Sequence, residues 1–340
     1  MAIPAYYFDA HCDTLSRLTR SGASILDNNF HISLKKASVF PHYAQVFAIF
    51  NDAGAAMRRA CSTQDEFTER LLAGDFALDL DGAYAGFQAQ LACFRDALAQ
   101  EENRLCLCTN AEDIERAWAQ GRTAAVLAVE GAEQLARTTL DEAYHAGVRI
   151  VTLTWNYPNM LGGSCVCGGG LTDAGRDFVR QANRLGMLLD LSHGSEALFW
   201  DVLEVSEKPV LASHSNSRAV FPHRRNLSDE QFCALSQAGG AAGINLYADF
   251  LSTGACGICD AVSHIEHFFA LGGEDHVTLG TDFDGCESLP VGIDSIADMT
   301  KLADALAQAG YTDMQIEKIY YKNLLRVFRG AASNTEGGIL

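Results

Sequence analysis

The chain has 340 residues, 48% of them apolar and 20% charged, and its 43 acidic side chains outnumber 25 basic ones for a formal net charge of −18. That apolar share supplies a large buried interior, and the length suits a β/α barrel with insertions. So acidic a chain repels nucleic acid and anionic membranes, and neither is expected as a partner.

The N-terminal segment MAIPAYYFDAHCD lacks the basic and apolar regions of a secretory signal, and the tail GAASNTEGGIL is too polar and short for a lipid-anchor signal. No apolar stretch approaches the ~20 residues of a membrane span. A cytoplasmic protein is expected. Eleven cysteines are an odd number, and in a reducing compartment most remain free thiols. The pairs Cys165/Cys167 and Cys256/Cys259 are weighed as a four-thiolate zinc site or redox pairs. Their spacings are not the usual ones, so plain thiols are preferred.

In chain order, apolar runs predict strands over Ala5–Asp9, Ala44–Phe50, Ala124–Val129, Arg149–Thr154, Met187–Leu191, Val210–Ser213, Gly240–Leu246 and Val277–Gly280. Most are short and continuous, the pattern of parallel strands covered on both faces. Between the second and third lie Thr63–Ala73, Gly82–Ala99, a short apolar stretch Arg104–Cys108, and Asn110–Gln120. These read as a mostly helical elaboration over about 51–120, within one domain spanning 1–340. After the fourth strand, the glycines of Gly162–Gly170 permit either a loop that closes over substrate or a slack connection. Helices are predicted over Asp173–Leu185, Ser195–Glu204, Ser228–Ala238, Asp298–Ala309 and Thr312–Arg329. Thr172-Asp173 forms the cap of the first of these and Gly186 its stop. Alternating units of this kind close most economically as an α/β fold of the (β/α)8 TIM-barrel type, with a mostly helical insertion between strands 2 and 3.

Seven residues of the metal-binding or metal-assisting kind follow these apolar runs: His11, Asp13, Glu130, His193, His214, Asp282 and Asp284. Strands that deliver polar residues from one common end are how such a barrel builds an active site. In His11-Cys12-Asp13, alternation points both polar side chains the same way. Glu130 follows the run AAVLAV, where an unpaired carboxylate is costly, and its two oxygens can bridge two cations. His193 and His214 supply neutral imidazole, a common zinc ligand. Two histidines plus the bridging carboxylate suit one ion, and the His-x-Asp pair plus the same carboxylate suits the other. Two ions ~3.5–4 Å apart can hold a hydroxide between them. Asp282 is nearer its strand than Asp284 and is placed to pass a proton from that water to a leaving amine. One of those two aspartates is expected to be a turn or cap residue.

The segments DAHCDTLSRL, AVEGAEQL, GVRIVTLTWN, GLTDAGRDFVRQANRLGMLLDLSHGS, PVLASHSNSRAVFPHRRNLSD, GINLY, LGTDFDG and NLLRVF run across nearly the whole chain. In them the chain resembles the membrane dipeptidase (renal dipeptidase) family, zinc peptidase family M19, among the amidohydrolase-like barrels. The resemblance implies two zinc or other divalent ions per chain and hydrolysis of dipeptides with free termini, with tolerance of a D-residue at the C-terminal position. By position it implies that His11 and Asp13 bind one ion, His193 and His214 the other, and that Glu130 bridges. Asp282 becomes the general acid/base and a receiver of the substrate's amino group. Arg225 becomes the binder of its carboxylate, and Tyr247 a pocket wall. The resemblance also leaves room for a homodimer.

One position departs. Where the family pattern has TLTH, this chain has TLTW, so Trp155 replaces a histidine that helps hold the substrate. Asn156 is the neighbour expected to supply a neutral donor in its place. The expected function is thus a zinc-dependent dipeptidase using a metal-bridging hydroxide. The alternative is a related binuclear-metal amidohydrolase acting on another amide, an N-acyl amino acid or a lactone. A non-catalytic protein that kept the barrel is disfavoured by the intact set of seven.

Overall fold

The structure, a computed structural model, describes residues 4–332. Eight parallel strands form its centre: β1 (Tyr6–Cys12), β2 (His42–Ile49), β3 (Thr123–Glu130), β4 (Val148–Thr152), β5 (Leu188–Asp190), β6 (Leu211–Ala212), β7 (Ala241–Ile244) and β8 (Val277–Leu279). Each pairs in parallel with the next, as in Ala44↔Ala124 between β2 and β3. Asp9↔Leu279 joins β1 to β8 and closes the ring. Helices surround it. This is the expected (β/α)8 barrel.

The strands form because their residues are buried on both faces. β3, TAAVLAVE, is buried from its second residue to its last. Side chains on alternate positions then join different apolar groups. Tyr7, Phe47, Val129 and Leu189 belong to one. Phe8, Ala10, Val46 and Val126 belong to another, which Leu324 and Phe328 of the last helix cover.

Three local details differ from the sequence reading. β1 continues through His11 and Cys12 instead of stopping at Asp9. Asp9 does not break it, because Thr281 and the His11 backbone N–H satisfy its carboxylate. The stretch near Arg104–Cys108 contains a strand, Leu105–Leu107, paired with the first half of β3. The last helix is Asp313–Glu317 and Asn323–Ala332 joined by a π-helical turn, Lys318–Lys322.

The insertion carries helices Ala55–Ala60, Gln64–Leu72, Leu80–Gln100 and Ala111–Ala119. Thr63, Asp79 and Asn110 cap the last three by accepting from backbone N–H groups of the first turn. The helix Asp173–Leu185 has the expected bounds, capped by Thr172 and stopped by Gly186 at φ 71°. Gly162–Ser164 and Gly168–Leu171, expected as a lid or slack linker, form an antiparallel hairpin. A Cβ on Gly163 would collide with the Gly168 carbonyl, so the close pairing requires glycine there. All eleven cysteines are free thiols. No helix among the described residues is long and apolar enough to cross a membrane.

Candidate active site

The C-terminal ends of the barrel strands bring six of the seven polar residues into one buried cluster. His11 and Asp13 come from the end of β1, and Glu130 ends β3. His193, His214 and Asp282 stand two or three residues past β5, β6 and β8. Glu130 lies at the centre: its Oε1 is 2.9 Å from His193 Nε2 and 3.5 Å from His214 Nε2, and its Oε2 is 3.8 Å from His11 Nε2. His11 Nε2 is also 3.5 Å from Asp13 Oδ2 and 3.9 Å from Asp282 Oδ1. Among the described residues, the groups of three able to share an ion are His11/Glu130/His214 and His11/Asp13/Asp282. Neither cysteine pair belongs to such a group.

The proton positions on two histidines follow from their outer partners. His193 Nδ1 lies 2.8 Å from Asn156 Oδ1, an acceptor, so Nδ1 carries the hydrogen. Ser213 donates to Asp190 Oδ2 at 2.6 Å. Its oxygen is then left to accept from His214 Nδ1 at 2.7 Å. Both Nε2 atoms are therefore bare lone pairs, and they face each other at 2.9 Å beside Glu130. Such an arrangement is repulsive unless a cation sits among them. Histidines oriented through their far nitrogen are typical of metal sites. His11 Nε2 and Asp13 Oδ1 are likewise buried without a hydrogen-bond partner. The donor set of two histidines, a histidine–aspartate pair and a shared carboxylate fits divalent zinc.

The electrostatics agree. Burial pushes Glu130 well above its ordinary value and Asp282 up to about 6. Burial opposes a charge on His11, yet Glu130 and Asp13 pull it up to about 10. Burial drives His193 and His214 well below theirs, with Arg225 and His11 adding to the effect. Burial thus works against the charged forms of Glu130, Asp282, His193 and His214 alike, a cost that a bound cation would offset.

The backbone is unusual at the same place. Among the described residues, the non-glycine residues at positive φ are His193 (66°), Asp282 (61°) and Asp284 (70°). Each such conformation costs about 1–3 kcal/mol and persists only where the surroundings impose it. The two aspartates then part. Asp282 Oδ2 accepts from Asn245 Nδ2 at 3.0 Å and its other oxygen faces His11. Asp284 accepts from Thr14 Oγ1 at 2.6 Å and His31 N at 2.8 Å, tying the loop to the chain after β1. Gly285 packs against both Asp13 and Asp282, where a Cβ would collide with their oxygens.

A cavity of about 420 Å³ opens over Asp13, Glu130, His193 and Asp282, with Trp155 and Tyr247 in its wall. The Trp155 ring is 5.9 Å from that of His193 and 4.8 Å from that of Phe50. Asn156 holds His193 through its carbonyl oxygen. Burial, then Glu287, raises the Tyr247 hydroxyl pKa, so it stays protonated. Arg225 is buried; its Nη2 donates to the His214 carbonyl at 3.3 Å, and its Nε has no partner. Sequence reading missed Asp9, Asp190, Ser213 and Asn245, which brace the cluster from behind. The signal was a carboxylate two or three residues before each of His11 and His193, inside an otherwise apolar run.

Residues 4–337 match the family described as "Membrane dipeptidase (Peptidase family M19)". The chain belongs to this family. It is accordingly a peptidase, a hydrolase of peptide bonds. A Klebsiella pneumoniae relative described as an uncharacterized protein in the pqqA 5′ region is 37% identical over 255 residues, which is 71% of this chain and 94% of that one. A metallo peptidase from Rhodobacter sphaeroides, solved with a phosphinate mimic of the dipeptide L-Ala-D-Ala, is 29% identical. It superposes with a TM-score of 0.83 over 96% of this chain and 99% of its own. Another M19 metallo peptidase, dipeptidase AC, is 28% identical with a TM-score of 0.83, covering 98% of this chain and 100% of its own.

Proposed function

We propose that this membrane dipeptidase family member cleaves short dipeptides with two divalent ions, zinc in the first instance. His11 and Asp13 would hold one ion and His193 and His214 the other, with Glu130 shared between the two. The observation that carries the reading is the pair of imidazole lone pairs 2.9 Å apart beside Glu130. Bound in this cage, the ions supply Lewis acidity to the scissile carbonyl and to the attacking water.

The chain's own residues do the rest. Asp282 takes a proton from the attacking water and gives it to the departing amine nitrogen. Asn245 fixes which oxygen of Asp282 faces the cavity. Arg225 pairs its guanidinium with the substrate's C-terminal carboxylate, for which a planar fork is well shaped. Its buried Nε has no protein partner, and Nη2 donates to the His214 carbonyl. Asp282 also meets the substrate's ammonium group. Trp155 and Tyr247 wall the cavity, and Asn156 orients His193. A substrate that must reach from Asp282 to Arg225 in the adjoining cavity is short, and a D-residue at the C-terminal position is accommodated.

The test is metal analysis followed by a panel of L,L- and L,D-dipeptides, N-acyl amino acids and lactones. About two ions per chain and turnover of dipeptides that is lost on chelation are expected. Turnover confined to the acyl amino acids or lactones would replace the dipeptidase reading with that of a related amidohydrolase.

A further inference from the structure

A second cavity of about 420 Å³ adjoins the first and shares His193, Asn156 and Arg58 with it. Its walls include Phe67, Leu71 and Val166, and its charged lining is Arg58, Arg224 and Arg225 against Asp65 alone. Three arginines against one carboxylate give this cavity a locally positive balance in a chain whose net charge is −18. A cleft of one sign in a field of the other focuses potential on a ligand of opposite charge.

Each arginine is differently held. Arg225 is buried and, on the reading above, takes the substrate's terminal carboxylate. Arg58 comes from the insertion and lies with its Cζ 5.3 Å from the Trp155 ring and 5.2 Å from the Phe67 ring. Its contacts with Tyr157 Oη at 2.6 Å and Asp52 at 3.2 Å both run through Nη2. Arg224 is exposed and has no acidic partner within 4.0 Å among the described residues. Burial, then Arg225 and Arg224, hold His223 beside them down to about 4, so that ring adds no charge of its own.

We propose that Arg58 and Arg224 make this cavity a receptor for an acidic side chain, so that the preferred dipeptides carry aspartate or glutamate at the C-terminal position. The inference rests on the dipeptidase reading, because Arg225 must anchor the terminal carboxylate for the adjacent side chain to enter. That side chain's methylenes meet Phe67, Leu71 and Val166, and its carboxylate lies between the two guanidinium groups. Trp155 takes part by supplying the flat face on which Arg58 rests. A histidine there presents a smaller ring.

The experiment compares kcat/KM of the metal-loaded enzyme on Ala-Glu, Ala-Gln, Ala-Phe and Ala-Lys, with the second residue in L and in D form. Wild type is expected to favour Ala-Glu over Ala-Gln by about tenfold or more. Arg58→Met and Arg224→Met each lower that ratio severalfold, chiefly through KM. Arg58→Glu moves the preference towards Ala-Lys, a gain that misfolding cannot produce. Equal use of Ala-Glu and Ala-Gln, or a preference for Ala-Phe, overturns the acidic receptor and leaves the dipeptidase reading standing. No turnover of any dipeptide overturns both.

Discussion

Nε2 of His193 and Nε2 of His214 lie 2.9 Å apart, each with its hydrogen placed on the opposite ring nitrogen by a partner in the layer behind. Two lone pairs at that distance repel. The barrel therefore stores an unfavourable arrangement that a cation relieves. Stripped protein is expected to gain about 3 °C or more in Tm when excess zinc is restored, since a ligand that binds only the folded state stabilises it. His214→Ala removes most of that gain. A melting temperature indifferent to zinc would refute the cage.

Asp282→Asn is nearly isosteric and can keep its contact with Asn245. It cannot carry a proton between water and amine. The variant is expected to retain its ions by elemental analysis and to lose about 10²–10⁴-fold in kcat. Retained turnover with full metal content would take Asp282 out of proton transfer.

Gly285 is the least conspicuous member of the TDFDG segment, yet its missing side chain leaves room for two carboxylates. A Cβ there would strike Asp13 Oδ2 and Asp282 Oδ1. Gly285→Ala is expected to weaken metal binding and to lower kcat by about 10²-fold, because small displacements at a reacting centre are costly. Metal titration and steady-state rates check it; wild-type values in both would show that the carboxylates move aside freely.

Glu133 is buried at 2% exposure, with Asn159 Nδ2 donating to Oε2 at 2.8 Å and Oε1 without a partner. Burial lifts it from 4.5 to about 7, against the pull of Asn159. The folded state thus binds a proton that the unfolded chain has already lost between those two values, so stability from this group is complete below pH 4.5 and falls as pH rises towards 7. Glu133→Gln removes the fall and stabilises the protein above pH 7 by on the order of 3 kcal/mol. Urea unfolding of both proteins at pH 5 and pH 8 measures it, and parallel pH dependence in the two would exclude a buried neutral Glu133.

The eight barrel strands were legible because apolar runs such as AAVLAV have few alternatives once every strand is covered on both faces. Their ends were less legible where polar residues belong to the strand, as Asp9 and His11 belong to β1. Tertiary partners contributed by Thr281 decide that point, and they lie far along the sequence. The cluster of six was readable from residue type and position. The roles of Asn156 and Asp190 were not, since each depends on which atom faces a neighbouring histidine or serine. Arg58 was invisible for the same reason. Its place in the cavity comes from the folding of the insertion, which no periodicity announces.

The ring closes between β1 and β8, so His11 waits for Asp282 across almost the whole polypeptide. A ribosome has to release nearly all of the protein before these two can meet. The pocket is complete only when the last strand has joined the first.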